Sequence, residues 1–327
     1  MKKIAIVTGI TGQDGPYLSK YLLEQGYKVY GLVKRYSNPN LDNLKFLDIE
    51  NDIELITGDI TDDACINHMV KGIRPDEFYN LAAQSFVGIS WDINKLTTEV
   101  NSLGPLNILN AIKSNSPSTR FYQASTSELY GNNNDNGIQN ENTGFKPRSP
   151  YGVSKLYAYW MTVNFRESYS IHASNGILFN HESPLRGKEF VTRKITDGVA
   201  KIKLGLTNKI TLGNLDSRRD WGHANDFVKA MWMMLQQDSP DDYVVCTSKQ
   251  HSIRELLEIA FTTADINNWK SYIEIDPRFK RPAEVHTLVG DYSKIKSKLN
   301  WEPETSFEDM IREMVIEDIR RLSKSNK

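Results

Sequence analysis

The sequence has few cysteines and no long apolar run. Its 327 residues include only Cys65 and Cys246, whose separation matches no metal-ligand or redox spacing. We therefore expect no disulfide framework, and residence in a reducing cytoplasm. No segment approaches the roughly 20 apolar residues of a membrane-spanning helix, so no membrane association is expected. The first apolar run is interrupted by Thr8 and Gly9, which is atypical of a signal peptide.

An excess of charge of either sign is also missing. The chain has 40 Lys and Arg against 41 Asp and Glu, a net charge of −1. This balance argues against nucleic acid or an anionic membrane as a general partner, and any basic site must be local. His181 and His223 have neither the H-x-x-x-H spacing nor the paired carboxylates of a metal site, so no metal is expected.

Short runs rich in Ile, Val, Tyr and Phe alternate with helix-length segments. The runs lack strict polar alternation, as is typical of strands buried on both faces. This order predicts an α/β fold, a doubly wound parallel Rossmann sheet with a second, smaller mixed α/β substrate domain. The predicted strands are 3–8, 28–33, 53–57, 77–83, 120–125 and 173–179, and the predicted helices are 16–25, 105–113, 154–168, 225–236 and 252–262. Ser252 and Glu255 form a capping-box pattern at the start of the last helix.

A glycine-rich turn follows the first predicted strand. Gly9, Gly12 and Gly15 have the spacing G-x-x-G-x-x-G and precede a helix, an arrangement that lets the backbone approach a pyrophosphate. Glycines of a tight structural turn are the alternative. The second strand ends in Lys34 and Arg35 instead of the carboxylate that holds the ribose of NAD, which favours NADP over an ordinary solvated pair.

Further polar and small residues follow the next strands. Asp59 lies where a carboxylate could meet the adenine, and small residues near Leu81 and Ala83 could let a cofactor approach the backbone. Packing of the alanines beneath a helix explains them equally well.

A phenol and an ammonium group occur four residues apart, at Tyr151 and Lys155. On a helix they share one face, and a neighbouring cation stabilises a phenolate, which can then accept a hydroxyl proton. The hydroxyls of Ser125 and Thr126 and the carboxylate of Glu128 end the preceding strand. Polar groups at the carboxyl end of a parallel strand face the ligand crevice.

Clusters of basic residues occur in the second half. We expect them in irregular segments, where arginine forks suit the oxygens of a nucleotide diphosphate. Each cluster alone is more typical of a solvated surface. They are Arg186, Arg193 with Lys194, Arg218 with Arg219, and Arg278, Lys280 and Arg281. Trp221 and Tyr243 could stack on a base, although core packing is the commoner role.

Several longer segments resemble one family over nearly the whole chain. The chain looks like an extended short-chain dehydrogenase/reductase and, more narrowly, resembles the GDP-mannose 4,6-dehydratase family of its nucleotide-sugar branch. The matching segments are TGITGQDG, YQASTSELYG, PRSPYGVSKLYAYW, NGILFNHESPLRG, FVTRKI, LGNLDSRRDWGHA and RPAEV.

The resemblance implies catalytic roles for four residues. Tyr151 would remove the O4 proton, Lys155 would orient Tyr151 and hold the nicotinamide ribose, and Thr126 would hydrogen-bond O4. Glu128 would act as acid and base in the elimination. A related 4-epimerase typically has a small or apolar residue in that place, so Glu128 favours dehydration, although a helix-starting or surface carboxylate is the alternative reading.

The resemblance also implies binding positions and partners. NADP-binding positions would be Gly9, Thr11, Gly12, Gln13, Asp14, Arg35, Asp59, Ile60, Leu81, Ala83, Ser85, Tyr151, Lys155, His181 and Arg186. Substrate-binding positions would be Ser85, Thr126, Glu128, Asn180, Lys194, Gly213, Arg219, Arg281 and Glu284. The implied domains are an NADP-binding domain of 1–178 with 222–250, and a nucleotide-sugar-binding domain of 179–221 with 251–327.

The implied reaction converts GDP-D-mannose to GDP-4-keto-6-deoxy-D-mannose and water, with the bound NADP recycled. GDP-manno-heptose is an alternative substrate, and a 4-epimerase or a 4-keto reductase is an alternative activity on the same scaffold. A non-catalytic NADP-binding regulator is the alternative from another class. The family assembles into homo-oligomers, so a homodimer or homotetramer is expected. The segment after Arg35 is shorter than in better-known members.

Overall fold

A computed structural model describes residues 2–37, 39–132, 137–276 and 288–325. The strands are β1 (Ile4–Thr8), β2 (Lys28–Val33), β3 (Glu54–Thr57), β4 (Glu77–Asn80), β5 (Arg120–Thr126), β6 (Ala173–Leu178), β7 (Asn180–Glu182), β8 (Ile210–Leu212), β9 (Arg218–His223), β10 (Tyr243–Val245), β11 (Gln250–Ser252) and β12 (Ile273–Ile275).

The α-helices are α1 (Asp14–Glu24), α2 (Asp42–Phe46), α3 (Asp63–Ile73), α4 (Asn94–Thr98), α5 (Gly104–Asn115), α6 (Pro150–Tyr169), α7 (Val191–Lys203), α8 (Ala224–Leu235), α9 (Ile253–Thr263), α10 (Ser293–Leu299) and α11 (Phe307–Ser325). Short 3₁₀ helices span Val87–Trp91, Ser127–Leu129 and Trp269–Tyr272, and a π-helix spans Glu99–Leu103. Within the described ranges, no helix is long and apolar enough to span a membrane.

Seven strands form the central sheet in the order β10-β6-β5-β4-β1-β2-β3. All neighbouring pairs are parallel, so every strand ends at the same edge. The crossover from β1–β2–β3 to β4–β5–β6 reverses direction beside β1, which creates the ligand crevice of a doubly wound sheet. The predicted Rossmann class is confirmed. The six predicted strands are β1 to β6, whereas the three-residue β10 was not predicted.

Helices cover both faces of the sheet, because its strands are apolar on both sides. On one face, residues of α1 and α8 such as Leu18 and Met231 pack with α10. On the other, Val70 of α3, Ile108 of α5 and Phe165 of α6 form a second cluster. Such burial on both faces explains the near-continuous apolar runs of the central strands.

A separate apolar cluster lies outside the central sheet. It joins α7, α9 and α11 through residues such as Ile195, Leu257 and Met314, beside two small sheets ordered β11-β9-β7 and β12-β8. The Ser252–Glu255 capping box at α9 is confirmed. Trp221 and Tyr243 are buried in apolar clusters, as their commoner role predicts.

Two basic clusters occupy regular structure, and our expectation of irregular segments was wrong for them. Arg193 and Lys194 lie in α7, while Arg218 and Arg219 lie in β9. The charged residues of α7 lie among buried Ile195, Val199 and others on an amphipathic helix. The density of charged residues in α7 suggested a loop. The helical spacing of its apolar residues is the signal that identifies this segment as a helix.

Candidate active site

The glycine-rich turn between β1 and α1 is tightly packed. Gly9 has φ +67°, and a Cβ atom built on it would lie 2.8 Å from the carbonyl carbon of Leu81. A Cβ on Gly15 would lie 2.5 Å from the Gly9 carbonyl oxygen. The Gly12 amide donates to that same oxygen at 3.0 Å. Side chains are thus excluded where the first helix approaches the switch point of the sheet, as in a pyrophosphate-binding turn.

A cavity of about 420 Å³ lies at the ends of β2 and β3. Lys34 Nζ lies 3.1 Å from Asp59 Oδ2, and Arg35 is exposed beside them. Burial opposes ionisation of Asp59, but the Thr61 amide and Lys34 outweigh it and hold its pKa below the ordinary value. The lining residues are Lys34, Arg35, Tyr36, Thr57, Gly58, Asp59, Asp62 and Cys65. Neighbouring Ile60 is buried.

Asp14 and His181 form a buried pair beside the glycine turn. His181 Nε2 lies 2.9 Å from Asp14 Oδ2, and His181 Nδ1 lies 2.8 Å from the Phe179 carbonyl oxygen. Burial disfavours charge on either group, yet their mutual attraction prevails: the pKa of His181 is raised and that of Asp14 is lowered. Gln13 extends the pair, donating to Asp14 Oδ1 and the His181 carbonyl oxygen, both at 3.0 Å.

Arg186 lies near this pair and near Tyr151. Its Nε is 3.1 Å from Glu182 Oε2, and its guanidinium carbon lies 3.5 Å from the ring centre of Phe190. The positive charge of Arg186 works to lower the pKa of each of three groups, Asp14, His181 and Tyr151. Glu182 and Phe190 therefore hold a guanidinium whose charge reaches both the Asp14–His181 pair and Tyr151.

The four predicted catalytic residues come together where β5 ends and α6 begins. The Thr126 hydroxyl works to lower the pKa of the Tyr151 phenol, and the negative charge of Glu128 works to raise it. Lys155 Nζ donates to the Ala124 carbonyl oxygen at 2.9 Å and lies 6.0 Å from the Tyr151 ring centre. The helix start that carries Tyr151 is fixed by Ser149, whose hydroxyl caps α6.

Burial controls the protonation of the central pair. It raises the pKa of Tyr151 to about 12, although the Thr126 hydrogen bond works in the opposite direction. Burial also lowers the pKa of Lys155 to about 8. The phenol is therefore protonated at neutral pH, and added positive charge beside it would be needed to make it a base.

Two asparagines near the site were not predicted. Asn101, in the π-helix, accepts from the Gln84 amide at 2.8 Å and donates to the Gln84 carbonyl and to Ser154 Oγ. Asn43 of α2 donates to the carbonyl oxygens of Thr11 and Gly12. A lone asparagine has no sequence signature, although a π-helical turn often marks a functional site.

The remaining predicted positions lie in two places, near the small sheets and after β4. Lys194 of α7 lies near Asp276, whose amide donates to the Leu212 carbonyl oxygen beside Gly213. Asn180 of β7 pairs with β9, which carries Arg219. Leu81, Ala83 and Ser85 follow β4, with Ser85 exposed. Arg281 and Glu284, as well as Arg278 and Lys280 of the third basic cluster, lie outside the described residues.

The sheet, the glycine turn and the tyrosine–lysine pair define a Rossmann-fold enzyme of the short-chain dehydrogenase/reductase type. Solved structures share this fold. UDP-glucose 4-epimerase of Thermotoga maritima has a TM-score of 0.87 at 22% identity, covering 98% of this chain and 99% of that one. dTDP-glucose 4,6-dehydratase of Bacillus anthracis has a TM-score of 0.85 at 23% identity, covering 99% and 100%.

Comparison of sequences gives the family. The model of the family described as GDP-mannose 4,6 dehydratase matches residues 6–314. GDP-mannose 4,6 dehydratase of Cricetulus griseus is 48% identical over 97% of this chain and 92% of that protein. GDP-mannose 4,6-dehydratase of Yersinia enterocolitica is 48% identical over 98% and 95%. The chain belongs to the GDP-mannose 4,6-dehydratase family.

Proposed function

We propose that the chain is a GDP-mannose 4,6-dehydratase, a hydro-lyase that converts GDP-D-mannose to GDP-4-keto-6-deoxy-D-mannose and water. The observation that carries this proposal is the meeting of Thr126, Glu128, Tyr151 and Lys155 at the end of β5. A 4-epimerase has no need of a carboxylate there, because it eliminates nothing from C5 and C6.

The residues fit a dinucleotide cofactor. Gly9 and Gly15 leave no room for a Cβ atom at the turn, which suits close approach of a pyrophosphate to the backbone. The cavity at the ends of β2 and β3 suits the adenosine end. A bound nicotinamide cofactor would supply the hydride acceptor for C4 and the hydride donor for C6.

We propose NADP as that cofactor. Lys34 and Arg35 end β2 where an NAD enzyme usually has a carboxylate, and both line the cavity. Lys34 contacts Asp59 at 3.1 Å, so Arg35 is the residue proposed to bind the 2′-phosphate. A guanidinium matches phosphate oxygens in geometry as well as in charge.

In the first step, Tyr151 takes the proton from O4 of the sugar. Its pKa of about 12 means that positive charge must accompany this step, and Lys155 supplies part of it. Lys155 is fixed by the Ala124 carbonyl oxygen and would hold the nicotinamide ribose. Thr126, whose hydroxyl works to lower the pKa of Tyr151, is proposed to share the O4 hydrogen bond.

Glu128 performs the elimination. The 4-ketone acidifies the C5 proton, which the Glu128 carboxylate removes, and the same group then protonates the departing C6 hydroxyl. The C5 proton and the C6 hydroxyl together leave as one water. Hydride returned to C6 and a proton added to C5 would complete the deoxy sugar. This proton balances the one that Tyr151 takes from O4 and then releases to solvent. One carboxyl group, that of Glu128, acts in turn as base and acid.

The nucleotide end is proposed to lie against Lys194, Gly213 and Arg219, with Asn180 nearby. Lys194 is partly buried, and burial lowers its pKa. Binding of a diphosphate would offset this cost of burying the ammonium group. Arg219 is buried and donates to the Arg218 carbonyl oxygen at 2.7 Å. The two-domain division stays a proposal, with the substrate between the domains and with α10 packed against the central sheet.

Self-association is proposed through one face of α6. Val153, Tyr157 and Trp160 follow the i, i+4, i+7 pattern of a helix face, and their exposed fractions are 57%, 40% and 49%. Leu96 and Leu103 of the adjoining helices add to this apolar face. A second copy of the chain is the proposed occupant, since a two-fold dimer pairs like surfaces.

The free thiols Cys65 and Cys246 support a reducing, cytoplasmic compartment.

The activity is tested without any added reductant. The purified protein, with NADP, is incubated separately with GDP-mannose and GDP-manno-heptose, and the products are weighed by mass spectrometry. Loss of one water from GDP-mannose is expected. If water were lost preferentially from GDP-manno-heptose, the heptose would replace mannose as the proposed substrate sugar. Unchanged mass with NADP bound would contradict dehydration, and inversion at C4 found by NMR would identify an epimerase.

A further inference from the structure

A buried ion pair joins α7 to α11 beside the proposed cofactor site. Arg193 Nη2 lies 2.6 Å from Asp318 Oδ1, and Arg193 Nε donates to both carboxylate oxygens at 2.9 Å. Their side chains are 5% and 2% exposed. Thr196 Oγ1 donates to Asp318 Oδ2 at 2.7 Å. The carboxylate is therefore held on several sides and fixes the guanidinium plane.

The same guanidinium also binds a loop. Arg193 Nη1 donates to the carbonyl oxygens of Pro184 and Arg186, at 2.6 and 2.9 Å. Arg321, one turn beyond Asp318 on α11, donates to the Pro184 oxygen at 2.6 Å. The backbone on both sides of Leu185 is thus fixed by arginines anchored in α7 and α11.

The other side of this loop contacts the glycine turn. Ser183 Oγ donates to Gln13 Oε1 at 3.0 Å, and Asn43 Nδ2 donates to the Gly12 carbonyl oxygen at 2.8 Å, with the Leu185 oxygen at 3.4 Å. Residues 183–186 therefore connect the α7–α11 pair to the turn proposed to bind the pyrophosphate. Arg186, which acts on Asp14, His181 and Tyr151, is the last residue of this connection.

We propose that Asp318, acting through Arg193, is a positioning residue for Arg186 and hence for cofactor binding. This inference rests on the proposed NADP site. A buried ion pair often adds little net stability, whereas a rigid support can control the orientation of a binding group. Arg193 uses Nη1 on two carbonyl groups of the loop, so loss of Asp318 would release the guanidinium and change the loop that carries Arg186.

The test compares two arginine–aspartate pairs in the same protein. Arg166 and Asp242 form a similar pair, with nitrogen–oxygen distances of 2.9 and 2.8 Å, and Arg166 lies near the far end of α6 from Tyr151. Asp318→Asn and Asp242→Asn are measured for melting temperature and for the NADP dissociation constant. Asp318→Asn is expected to weaken NADP by about tenfold, the effect of losing one charge-assisted hydrogen bond. Asp242→Asn should lower the melting temperature and leave NADP affinity within about twofold.

A second comparison tests action through Arg186. If Asp318 acts through that residue, Asp318→Asn should weaken NADP by less than about twofold when added to Arg186→Ala, since the two effects share one path. Should Asp318→Asn fail to fold, Arg193→Lys replaces it. A lysine keeps the charge but cannot bind the carboxylate and both loop carbonyls at once, so the same weakening is expected.

Several results would overturn the inference. Unchanged NADP affinity in Asp318→Asn, equal weakening in Asp242→Asn, or full additivity with Arg186→Ala would each reduce the Arg193–Asp318 pair to a helix–helix contact. A wild-type protein that binds no NADP would refute the proposed cofactor and this inference with it. Tight wild-type binding with an unaffected Asp318→Asn would refute this inference alone.

Discussion

Glu128 is the residue on which the proposed chemistry depends most directly. It follows the Thr126 cap of the Ser127–Leu129 turn, and its charge acts on Tyr151. The residue types and their order along β5 and α6 allowed this grouping to be predicted, because polar groups at the carboxyl end of a parallel strand face the ligand crevice and Tyr151 and Lys155 share one face of a helix. The support that Asn101 and Asn43 give the site could not be predicted, since their contacts are distant in sequence.

Glu128→Gln should abolish most of the elimination. The amide keeps the size of the side chain but cannot take the C5 proton, so formation of the 4-keto product should fall by about two to four decades, the usual scale of acid–base catalysis. Product formation is followed by mass spectrometry, and dissociation constants for NADP and GDP-mannose serve as controls. A variant that turns over at the wild-type rate would remove Glu128 from the mechanism.

Arg35→Asp should change cofactor preference. Replacing the guanidinium by a carboxylate removes the proposed 2′-phosphate contact, so NADP affinity should fall by about tenfold or more, with a smaller effect on NAD. Lys28→Asp reverses the same charge at the start of the same strand, where Lys28 pairs with Glu54, and should leave both affinities nearly unchanged. Equal losses for NADP and NAD in Arg35→Asp would contradict the assignment.

The Asp14–His181 pair predicts a pH dependence of stability. The raised pKa of His181 adds stability that is complete below the ordinary histidine pKa of 6.5 and is lost as the pH rises through the pKa of the folded protein. The lowered pKa of Asp14 adds stability that is present above the ordinary aspartate pKa of 3.8 and is lost as the pH falls through the pKa of the folded protein. Both contributions coexist between these values.

Asp14→Asn should therefore lose more unfolding free energy, relative to wild type, at pH 5.5 than at pH 8.5, because the stability that protonated His181 adds is lost as the pH rises through its folded pKa. Urea unfolding of both proteins at the two pH values measures the difference. The isosteric amide keeps the packing of α1, so that a loss of equal size at both pH values would mean that the pair does not carry charge.

At the scale of the elements, the glycine turn joins β1, α1 and the end of β4. Its glycines and the six longer central strands were predictable, because buried parallel strands read as apolar runs. β10 was not, since Tyr243–Val245 is too short to give a pattern. Its place in the sheet is determined by pairing with β6, a contact distant in sequence.

Gly9→Ala should damage cofactor binding more than stability alone explains. A Cβ atom at this position would lie 2.8 Å from the Leu81 backbone, and the residue has φ +67°. The turn must therefore shift. Gly26→Ala is the control, with φ +82° and nothing within 4 Å. Both variants should lose about 1–2 kcal/mol of stability from the left-handed backbone, while only Gly9→Ala should weaken NADP. Similar NADP affinities would show that the turn tolerates the shift.

At the scale of the molecule, some charges play a different part from the one predicted. Arg193 appeared to belong to a phosphate-binding cluster, yet it is buried against Asp318. The sequence could not reveal this pairing, because the partners are 125 residues apart and each is an ordinary charged residue on an amphipathic helix. By contrast, family membership was predictable, since the matching segments extend over nearly the whole chain.

Self-association predicts that charge on the α6 face produces single chains. The double variant Tyr157→Glu, Trp160→Glu should have the mass of one chain by light scattering, where the wild type has the mass of a dimer or tetramer. Ile316→Glu is the control, because Ile316 is 59% exposed on α11, outside the α6 face. A monomeric wild type, or an assembly retained by the double variant, would contradict an interface at this face.

The proposed reacting groups all come from one part of the chain: Thr126 and Glu128 lie at or just after the end of β5, and Tyr151 and Lys155 lie at the start of α6. The groups proposed to hold the nucleotide end come from α7 and the small sheets, outside that part. Mutations could therefore accumulate around Lys194, Gly213 and Arg219 without disturbing the reaction centre. Such separation gives evolution, or an enzyme engineer, a route to new nucleotide-sugar donors by substitution at these three positions, provided that Arg193 of α7 and His181 of β7, which support the cofactor site, are kept.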